Sequence, residues 1–344
     1  MKILLCGYRN PHFKTFCDFI EQAIKALGHE FEFFNYRKWL IPGRIRERLD
    51  VFNQWDIERI NASLIKEAQR VEPDVLLCTG AWTIQKETIQ TITKKAKAVN
   101  WVADFPLKFD EYLQTGPSYS HVFFSGTEAL ERYKAAGASN ASWLPFACDP
   151  EIHQPVEVSE EDRKKYACDI SFIGSCYTER IEILERLTDF DIKIWGPGWD
   201  KADLSAHLRA RVQGGAVDVD EWRKIIHCSK INLNIIGHRC DVMEPYVDAD
   251  EFRMTNTKLF EILGCGGFQC VDQKADAETL FKHKEHVVFY KDSNELISLI
   301  QHYIKHDNER RQIAEQGRKE VLAKHTYVLR LKELLRVVMG VTAQ

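Results

Sequence analysis

The residues best suited to chemistry lie at positions 253–261, in the sequence RMTNTKLFE. A polar loop there runs into an apolar-periodic segment that stops at a group of glycines, which predicts a loop followed by a short helix. Lys258 and Glu261 are three residues apart, so they share one face of that helix. The loop contains Thr255, Asn256 and Thr257. Unpaired N–H groups at a helix start suit a diphosphate, and a carboxylate one turn further in suits a sugar diol such as ribose.

A second interpretation of the same stretch is purely structural. A lysine and a glutamate three apart on a helix also form an ordinary solvated ion pair, and glycines after a helix also form an ordinary C-cap. The stretch alone leaves both interpretations open, so the choice depends on the rest of the chain.

Composition limits the kind of protein. The chain has 344 residues, of which 44% are hydrophobic, so two domains with well-filled cores are expected. A net charge of −4 argues against a protein whose whole surface binds nucleic acid or membrane. The apolar run at residues 1–6 is too short for a signal peptide and no later segment approaches a membrane span, so a cytoplasmic location is expected. The ten cysteines are scattered singly, without C-x-x-C or zinc-type spacing, which predicts reduced thiols and no metal site.

The order of apolar runs and helical periods predicts two parallel α/β sheets. In the first half, strands are predicted at residues 2–6, 30–34, 74–78, 99–103, 121–125 and 141–144, with helices at 13–27, 56–70 and 84–97. Residues 148–168 are rich in charge and proline and lack a period, which predicts a domain linker. A second series follows, with strands predicted at residues 168–174, 191–195, 211–217, 230–236, 268–271 and 286–290. We therefore expect two similar α/β halves with a cleft between them.

In an open parallel sheet, ligands bind beyond the carboxyl ends of the strands. In the first half, Asp104 follows such a strand and is placed to orient or deprotonate an acceptor hydroxyl. An aspartate beside a turn is also an ordinary capping residue, and both interpretations stay open. His12 and Trp82 are further candidates for lining the same acceptor cleft, with the tryptophan as a stacking surface.

A basic segment occupies residues 37–48, RKWLIPGRIRER, and interleaves five cations with Trp39, Leu40 and Ile41. This composition suits an anionic partner such as nucleic acid or a phospholipid surface. A solvated loop with a few anchoring apolar residues has the same composition, and we favour that interpretation.

Two short motifs resemble known sites but lack their sequence context. Gly196 and Gly198 resemble the start of a dinucleotide fingerprint, yet the third glycine and an immediate apolar helix are missing, so a NAD site is not expected. Asp248 and Asp250 form a D-x-D triplet of the kind that holds a metal and a diphosphate in a different transferase fold. The surrounding pattern does not fit that fold, so we interpret the triplet as solvated.

Several segments of the second half resemble a known family. The CgeB-like glycosyltransferases, within the GT-B superfamily of group 1 glycosyltransferases, have a C-terminal domain similar to the segments DISFIGSCYTERIEILERL, DIKIWGPGW, SKINLNI and FRMTNTKLFEILGCGGFQCVD. The resemblance covers residues 169–335, and its most specific part is the tail that contains His325, Thr326 and Tyr327. The first half resembles the family only in its α/β pattern and in strand ends such as NWVADFP.

The resemblance implies a GT-B fold of two Rossmann-like domains that face each other across a cleft. Residues 1–155 would be an acceptor domain, residues 166–325 a nucleotide-sugar donor domain, and residues 326–344 a helix that returns to the first domain. It implies a metal-independent glycosyltransferase of the hexosyltransferase class, without a cofactor. Such an enzyme moves a sugar from a nucleotide-diphosphate sugar to a hydroxyl of an acceptor, here an unidentified glycan, protein or modified nucleic acid. The resemblance favours retention of the anomeric configuration over inversion.

The resemblance also implies residue roles by position. Gly174 and Ser175 would approach the diphosphate or sugar, Arg253 and Lys258 would face the phosphates, and Glu261 would hold the ribose. Relatives with a paired-glutamate signature carry an acid eight residues before that glutamate, where this chain has Arg253, so the residue that meets the sugar and the stereochemistry stay open. Arg180 and Arg239 are further cations available to stabilise the leaving diphosphate. The donor-binding candidates are therefore Gly174, Ser175, Arg180, Gly196, Arg239, Thr255, Asn256, Thr257 and Glu261, and the catalytic candidates are Lys258, Arg253 and Asp104.

Three alternatives to a glycosyltransferase of sugars or proteins remain at this point. A sugar-nucleotide epimerase uses the same two-domain fold. A DNA-modifying glycosyltransferase would account for the basic residues 37–48. A non-catalytic binding module would keep the fold without turnover of any donor.

Overall fold

A computed structural model of the chain describes residues 1–10, 14–46, 48–103, 109–236 and 252–340. The chain divides into two compact units. The first comprises Met1–Pro145 together with Tyr327–Gln344, and the second comprises Phe146–Thr326. None of the helices within these described ranges is both long enough and apolar enough to cross a membrane.

The first unit contains a parallel sheet of six strands. The strands are β1 (Lys2–Gly7), β2 (Glu30–Asn35), β3 (Val75–Cys78), β4 (Lys97–Val102), β5 (His121–Phe124) and β6 (Ala141–Trp143). Their order across the sheet is β2-β1-β3-β4-β5-β6. The helices are α1 (Phe16–Ala26), α2 (Gly43–Arg46), α3 (Asp50–Val71), α4 (Lys86–Ile92), α5 (Phe109–Thr115) and α6 (Thr127–Ala135). The central strands are continuous apolar runs, and the four residues Ile3, Leu4, Leu5 and Cys6 are fully buried, as expected for a sheet covered by helices on both faces.

The second unit contains another parallel sheet of six strands. Its strands are β7 (Cys168–Ile173), β8 (Ile192–Trp195), β9 (Val212–Gly214), β10 (Ser229–Asn234), β11 (Gln269–Asp272) and β12 (Val288–Tyr290). Its helices are α7 (Glu160–Tyr166), α8 (Thr178–Glu185), α9 (Ala206–Arg209), α10 (Val219–Cys228), α11 (Thr257–Gly264), α12 (Ala275–Leu280), α13 (Ser293–Tyr303) and α14 (Asp307–Lys324). The two parallel α/β sheets that the sequence predicts are confirmed.

The order of the strands indicates where each sheet can bind a ligand. In the first unit the chain runs from β1 outward to β2 and returns to β3 on the other side of β1. In the second unit, whose order is β12-β11-β10-β7-β8-β9, the chain runs outward from β7 to β9 and returns to β10 beside β7. A crevice forms at the carboxyl ends of the two strands where the winding reverses, because the following loops diverge there. These strand ends are at Gly7 and Cys78 in the first unit and at Ile173 and Asn234 in the second.

Residues 148–168, predicted as a linker without a period, contain a helix. Helix α7 is stabilised at its start because Ser159 Oγ accepts from Asp162 N at 3.1 Å while the Asp162 carboxylate accepts from Ser159 N at 3.0 Å. Helix α7 buries only Tyr166, so its sequence has no apolar period. The predicted strand at residues 211–217 is also shorter, since β9 ends at Gly214.

Residues 146–155 lie with the second unit. This segment packs closely against helix α11 at Gly264, which has no side chain. A Cβ atom at Gly264 would lie 3.0 Å from the Cβ of His153 and 3.2 Å from that of Cys148. Cys148 also pairs with Thr326, just before the chain leaves the second unit.

The last helix, α15 (Tyr327–Met339), belongs to the first unit. The Tyr327 ring is 1% exposed and stacks on Phe19 with ring centroids 5.4 Å apart. It also packs against the rings of Phe16 and Trp101, whose centroids lie 5.8 and 6.2 Å from its own. Arg330 Nε donates to the Pro145 carbonyl at 3.0 Å, which fixes the helix to the end of the first chain segment.

Replacing Tyr327 by alanine removes this anchor, so Tyr327→Ala should lower the stability of the first unit by about 3 to 5 kcal/mol, as other buried aromatic truncations do. Urea denaturation followed by tryptophan fluorescence measures the change, since Trp101 lies in the same core. Lys332→Ala, an exposed change on the same helix, is the control and should leave the midpoint unchanged. Equal midpoints for the two variants would contradict the anchoring role of Tyr327.

Candidate functional site

Arg180 connects the ends of β7 and β10, the two strands at which the second sheet reverses its winding. The side chain is 9% exposed and lies on α8. Its Nε and Nη2 atoms donate to the Ile235 carbonyl at 3.2 and 2.8 Å, and Nη1 donates to the Ser175 carbonyl at 2.9 Å. Ser175 follows β7 and Ile235 follows β10, so one guanidinium fixes both loops. Carbonyl oxygens are neutral, so these hydrogen bonds do not neutralise the guanidinium charge beside the strand ends.

Gly174 and Gly196 bring the ends of β7 and β8 into direct backbone contact. Gly174 N donates to the Trp195 carbonyl at 2.9 Å, and the Gly174 carbonyl accepts from Trp199 Nε1 at 2.8 Å. Gly196 has φ +140°, and a Cβ atom there would lie 2.0 Å from the Gly174 oxygen. No side chain fits at that distance, so Gly196 is required for the loop after β7 to keep its shape.

The start of α11 is held by a network of side-chain amides. Asn256 is the N-cap, and its Oδ1 accepts from Leu259 N at 3.1 Å. Asn256 and Asn234, at the carboxyl end of β10, exchange amide hydrogen bonds of 2.8 and 3.1 Å. Gln269 on β11 donates to the Leu259 carbonyl at 2.8 Å. The helix start is therefore fixed to two neighbouring strands, at the edge of the sheet where a ligand enters.

Thr255 and the first helical residues keep polar groups available at this helix start. Thr255 is fully buried, and its hydroxyl makes no hydrogen bond within the described ranges. The backbone N–H groups of Thr257 and Lys258 also donate to no carbonyl of the described chain. Such groups at a helix N-terminus favour an anion. Arg253 is partly buried in the loop just before, and its carbonyl accepts from Asp276 N at 3.2 Å.

Lys258 and Glu261 lie on one face of α11, as their spacing predicts, and both are partly buried. The Lys258 ammonium lies 6.0 Å from the centre of the Trp222 ring. Burial lowers the pKa of the Lys258 amine, Glu261 opposes that shift, and the nearby Arg180 charge adds to it. In the part of the chain that the structure describes, the Glu261 carboxylate makes no hydrogen bond or ion pair. Burial disfavours the charged form of Lys258, and an anionic ligand beside it would favour that form again.

His153 and Trp222 join this group although the sequence did not single them out. His153 is 2% exposed, its Nδ1 accepts from Asp149 N at 2.9 Å, and its ring packs edge-on against Trp222 at 5.8 Å. Burial lowers the pKa of His153 while the Glu261 charge raises it, which places the imidazole close to that carboxylate. No sequence signal could locate His153, because it approaches α11 from a segment more than a hundred residues earlier.

Asn234 is a residue of the site for which the sequence does contain a signal. It is 1% exposed within the strand KINLNI, where Asn232 is equally buried. Amides inside an apolar strand must find hydrogen-bond partners, so their presence there points to a buried polar network.

The first-unit candidates are described only in part. Trp82 follows β3, is 41% exposed, and lies 6.3 Å from the Trp39 ring. His12 and Asp104 lie outside the described residues, as does the donor candidate Arg239 of the second unit. The D-x-D residues Asp248 and Asp250 also lie outside them.

Metal-binding geometry occurs at one place in the described ranges. His302, His306 and Glu309 place their ligand atoms within 4.8 Å of one another. The three residues are exposed at the junction of α13 and α14, where His302 Nε2 already contacts the Glu309 carboxylate at 2.9 Å. None of them lies on the elements that carry Arg180, Asn256 or Lys258.

A family model matches most of the second unit. Residues 179–336 match the family model described as glycosyl transferase-like. This is nearly the segment in which the sequence motifs resemble group 1 glycosyltransferases, and it contains α11 and Arg180. The CgeB-like subfamily stays a prediction. No curated protein matches the sequence.

Structural comparison finds glycosyltransferases of the GT-B fold. Sucrose-phosphate synthase from Thermosynechococcus elongatus is similar, with a TM-score of 0.69 and 12% identity over 99% of this chain and 100% of that chain. HepE of Anabaena in complex with UDP-glucose has a TM-score of 0.65 and 12% identity, again over 99% and 100% of the two chains. A glycosyltransferase from Rickettsia africae has a TM-score of 0.63 and 14% identity over 98% of each chain. The GT-B fold expected from the sequence is confirmed.

Gly196→Ala tests the close approach of the β7 and β8 loops. The backbone conformation alone should cost about 1 to 3 kcal/mol in a residue with a side chain, and the contact with the Gly174 carbonyl adds to that. Chemical denaturation measures the loss of stability. Gly215→Ala is the matched control, because a Cβ there meets nothing within 4 Å. Equal stability of the two variants would show that the loops tolerate a side chain at position 196.

Proposed function

We propose that this protein is a metal-independent glycosyltransferase that moves a sugar from a nucleotide-diphosphate sugar to an acceptor hydroxyl. One observation supports this most directly. The start of α11 presents Lys258, free backbone N–H groups and Glu261 next to the strand ends where the second sheet reverses its winding. That stretch lies inside the segment that matches the glycosyl transferase-like family model.

The chemistry of sugar transfer explains the proposed roles. As the bond from the anomeric carbon to the diphosphate breaks, negative charge grows on the leaving diphosphate. Lys258, Arg253 and the N–H groups of the first helical turn would stabilise that charge, with the fixed positive field of Arg180 behind them. Glu261 would accept hydrogen bonds from the ribose hydroxyls one turn further along the helix.

The same geometry gives each loop residue a supporting role. Gly174 and Gly196 would let the diphosphate or sugar approach the backbone, because neither carries a side chain. Ser175 and Asn256 would position the loops through their contacts with Arg180 and Asn234. Thr255 would place a buried hydroxyl beside the helix start.

The donor and acceptor are proposed at the level of chemical class. A bound UDP-glucose is named for the similar HepE structure, so UDP-glucose is the first donor to test. We propose that the first unit supplies the acceptor site, with His12, Trp82 and Asp104, which follow its strands in the sequence, and with Asp104 as the residue that orients or deprotonates the hydroxyl. The proposed acceptor classes are a glycan, a protein and a modified nucleic acid.

We also propose retention of the anomeric configuration, following the family resemblance. Arg253 stands where relatives with the paired-glutamate signature carry an acid, so this chain would stabilise the leaving group there with a cation. The anomeric proton signal of the product in NMR distinguishes retention from inversion. A product of opposite configuration to the donor would refute this part of the proposal.

Lys258→Ala should lower the rate of transfer about ten- to a hundredfold or more, because a charged hydrogen bond to the leaving diphosphate is lost. Glu261→Ala should mainly weaken donor binding, seen as a smaller thermal shift with the nucleotide sugar. Lys305→Ala and Glu182→Ala, exposed changes elsewhere in the second unit, are the matched controls.

The same assays separate the alternatives. Consumption of the donor with release of nucleoside diphosphate supports transfer, whereas interconversion of donors without acceptor would identify an epimerase. A thermal shift without turnover of any nucleotide sugar would identify a binding module. Wild-type kinetics in both Lys258→Ala and Glu261→Ala would refute the assigned site.

The pH dependence of turnover should report the Lys258 amine. Its pKa lies below the ordinary lysine value because of burial, so the ammonium form, and activity with it, is lost at a lower pH than for an exposed lysine. A bound diphosphate favours the ammonium, so the alkaline limb of kcat should lie at higher pH than that of kcat/KM. In Lys258→Arg the guanidinium stays charged, and the alkaline limb should disappear. An unchanged limb in Lys258→Arg would assign it to another group.

A further inference from the structure

An exposed apolar surface is concentrated at one place on the first unit. Nine large hydrophobic side chains are exposed in the described ranges, and six of them lie between residues 40 and 55. They are Leu40, Ile45, Leu49, Val51, Phe52 and Trp55, with exposures from 40 to 69%. We call this set, with the cations between them, the α2–α3 surface. Single exposed apolar residues are common, but a group of this size marks an interaction surface.

Much of this surface lies on the first turns of α3, outside the core. The helix buries Ile60 and Leu64 on one face, whereas Val51, Phe52 and Trp55 share a different face and stay exposed. Residues 50–55 are exposed or half-buried throughout, so the helix starts outside the core.

The loop before these helices is held by hydrogen bonds to a buried carboxylate. The fully buried Asp56 carboxylate accepts from Leu40 N at 3.0 Å, from Ile41 N at 3.1 Å and from Arg59 Nε at 2.9 Å. Burial raises the pKa of Asp56, but these hydrogen bonds outweigh it and lower the pKa overall. The exposed Leu40 is therefore held in place by its own backbone.

Cations surround the exposed apolar side chains. Residues 37–55 contain five lysines and arginines against two acidic residues, although the whole chain carries a net charge of −4. Arg37, Lys38, Arg44 and Arg48 are exposed, and Arg46 lies 3.7 Å from the centre of the Trp39 ring. The combination of exposed Trp, Phe and Leu side chains with arginines is that of a segment lying in the interface of an anionic bilayer.

We propose that the α2–α3 surface binds the surface of a membrane that contains anionic phospholipids. The apolar side chains would enter the boundary of headgroups and acyl chains, while the arginines would pair with lipid phosphates. This inference does not depend on the proposed transfer activity. Trp82, 6.3 Å from Trp39, follows β3, so the surface borders the strand ends that we assign to the acceptor.

Other occupants fit the observations less well. Nucleic acid would pair with the arginines but would leave Leu40, Ile45 and Val51 exposed to water. A second copy related by a two-fold axis would cover the apolar side chains but would place the same cations opposite one another. A membrane with anionic headgroups satisfies both the apolar and the charged side chains.

Cosedimentation of the full chain with vesicles tests the proposal. The protein should sediment with vesicles of phosphatidylcholine mixed with an equal amount of phosphatidylserine, should bind vesicles of phosphatidylcholine alone more weakly, and should be released by added salt. The double variant Phe52→Ser with Trp55→Ser should weaken binding about tenfold or more, because it removes inserted apolar area. Arg44→Gln with Arg48→Gln should weaken it to a similar extent, roughly tenfold, through lost attraction to the headgroups.

Matched controls keep the test specific. Lys66→Gln removes an exposed cation from the same α3 helix, and Leu329→Ser removes an exposed apolar side chain from α15. Both controls should bind vesicles like the wild type, and unchanged thermal midpoints should show that all variants are folded. Absence of wild-type binding to the anionic vesicles, or equal binding by all variants, would overturn the proposal.

Two further outcomes would also overturn it in favour of another occupant. Salt-sensitive binding to duplex DNA that is lost in Arg44→Gln with Arg48→Gln, without vesicle binding, would identify nucleic acid. Dimerisation in sedimentation equilibrium that Phe52→Ser with Trp55→Ser abolishes, without vesicle binding, would identify a second copy. Nucleotide-sugar thermal shifts should be the same in all these variants, which separates this test from that of the donor site.

Discussion

The candidate donor site depends on where the first turn of α11 is held. Two side-chain amides, Asn256 at the N-cap and Asn234 at the end of β10, bind each other in both directions. Asn234 is almost fully buried, so loss of its partner would leave an amide without water or protein to bind, at a cost of about 1 to 3 kcal/mol. The network fixes α11 against the sheet, and the helix then places Lys258 and Glu261. Arg180 does the same for the two flanking loops.

The electrostatics of this region follow from that placement. Lys258 is held partly out of water, close to Trp222 and within the field of Arg180. Removing water from an ammonium is unfavourable, and a second cation nearby adds to the cost. Glu261 compensates only in part. An anion at this place would therefore favour the charged form of Lys258, and the helix start has further N–H groups that could bind it. A site whose charged groups are already in position needs less reorganisation when its ligand binds.

The first unit uses polar anchoring for a different purpose. There the buried carboxylate of Asp56 accepts backbone and guanidinium hydrogen bonds and fixes the loop with the exposed Leu40, while further exposed apolar side chains lie on α3. Each exposed Phe52 or Trp55 leaves apolar area in water that a folded chain would otherwise bury. The central strands β1 and β3 bury their apolar residues completely. The same unit thus has a conventional core and one surface whose apolar residues are left for contact with something outside the chain.

Sequence by itself determined the two parallel sheets, because apolar runs such as KILLC and KINLNI separated by helical periods have few other solutions. It also determined that Lys258 and Glu261 share a helix face, since that follows from spacing within one element. It did not find α7, because a short capped helix that buries only Tyr166 has no apolar period. Tertiary structure alone decided that Arg180 binds carbonyls after β7 and β10, that His153 approaches α11, and that residues 146–155 lie with the second unit. These are contacts between segments far apart in the chain, and no local pattern of side chains specifies which distant strand end or helix a residue will meet.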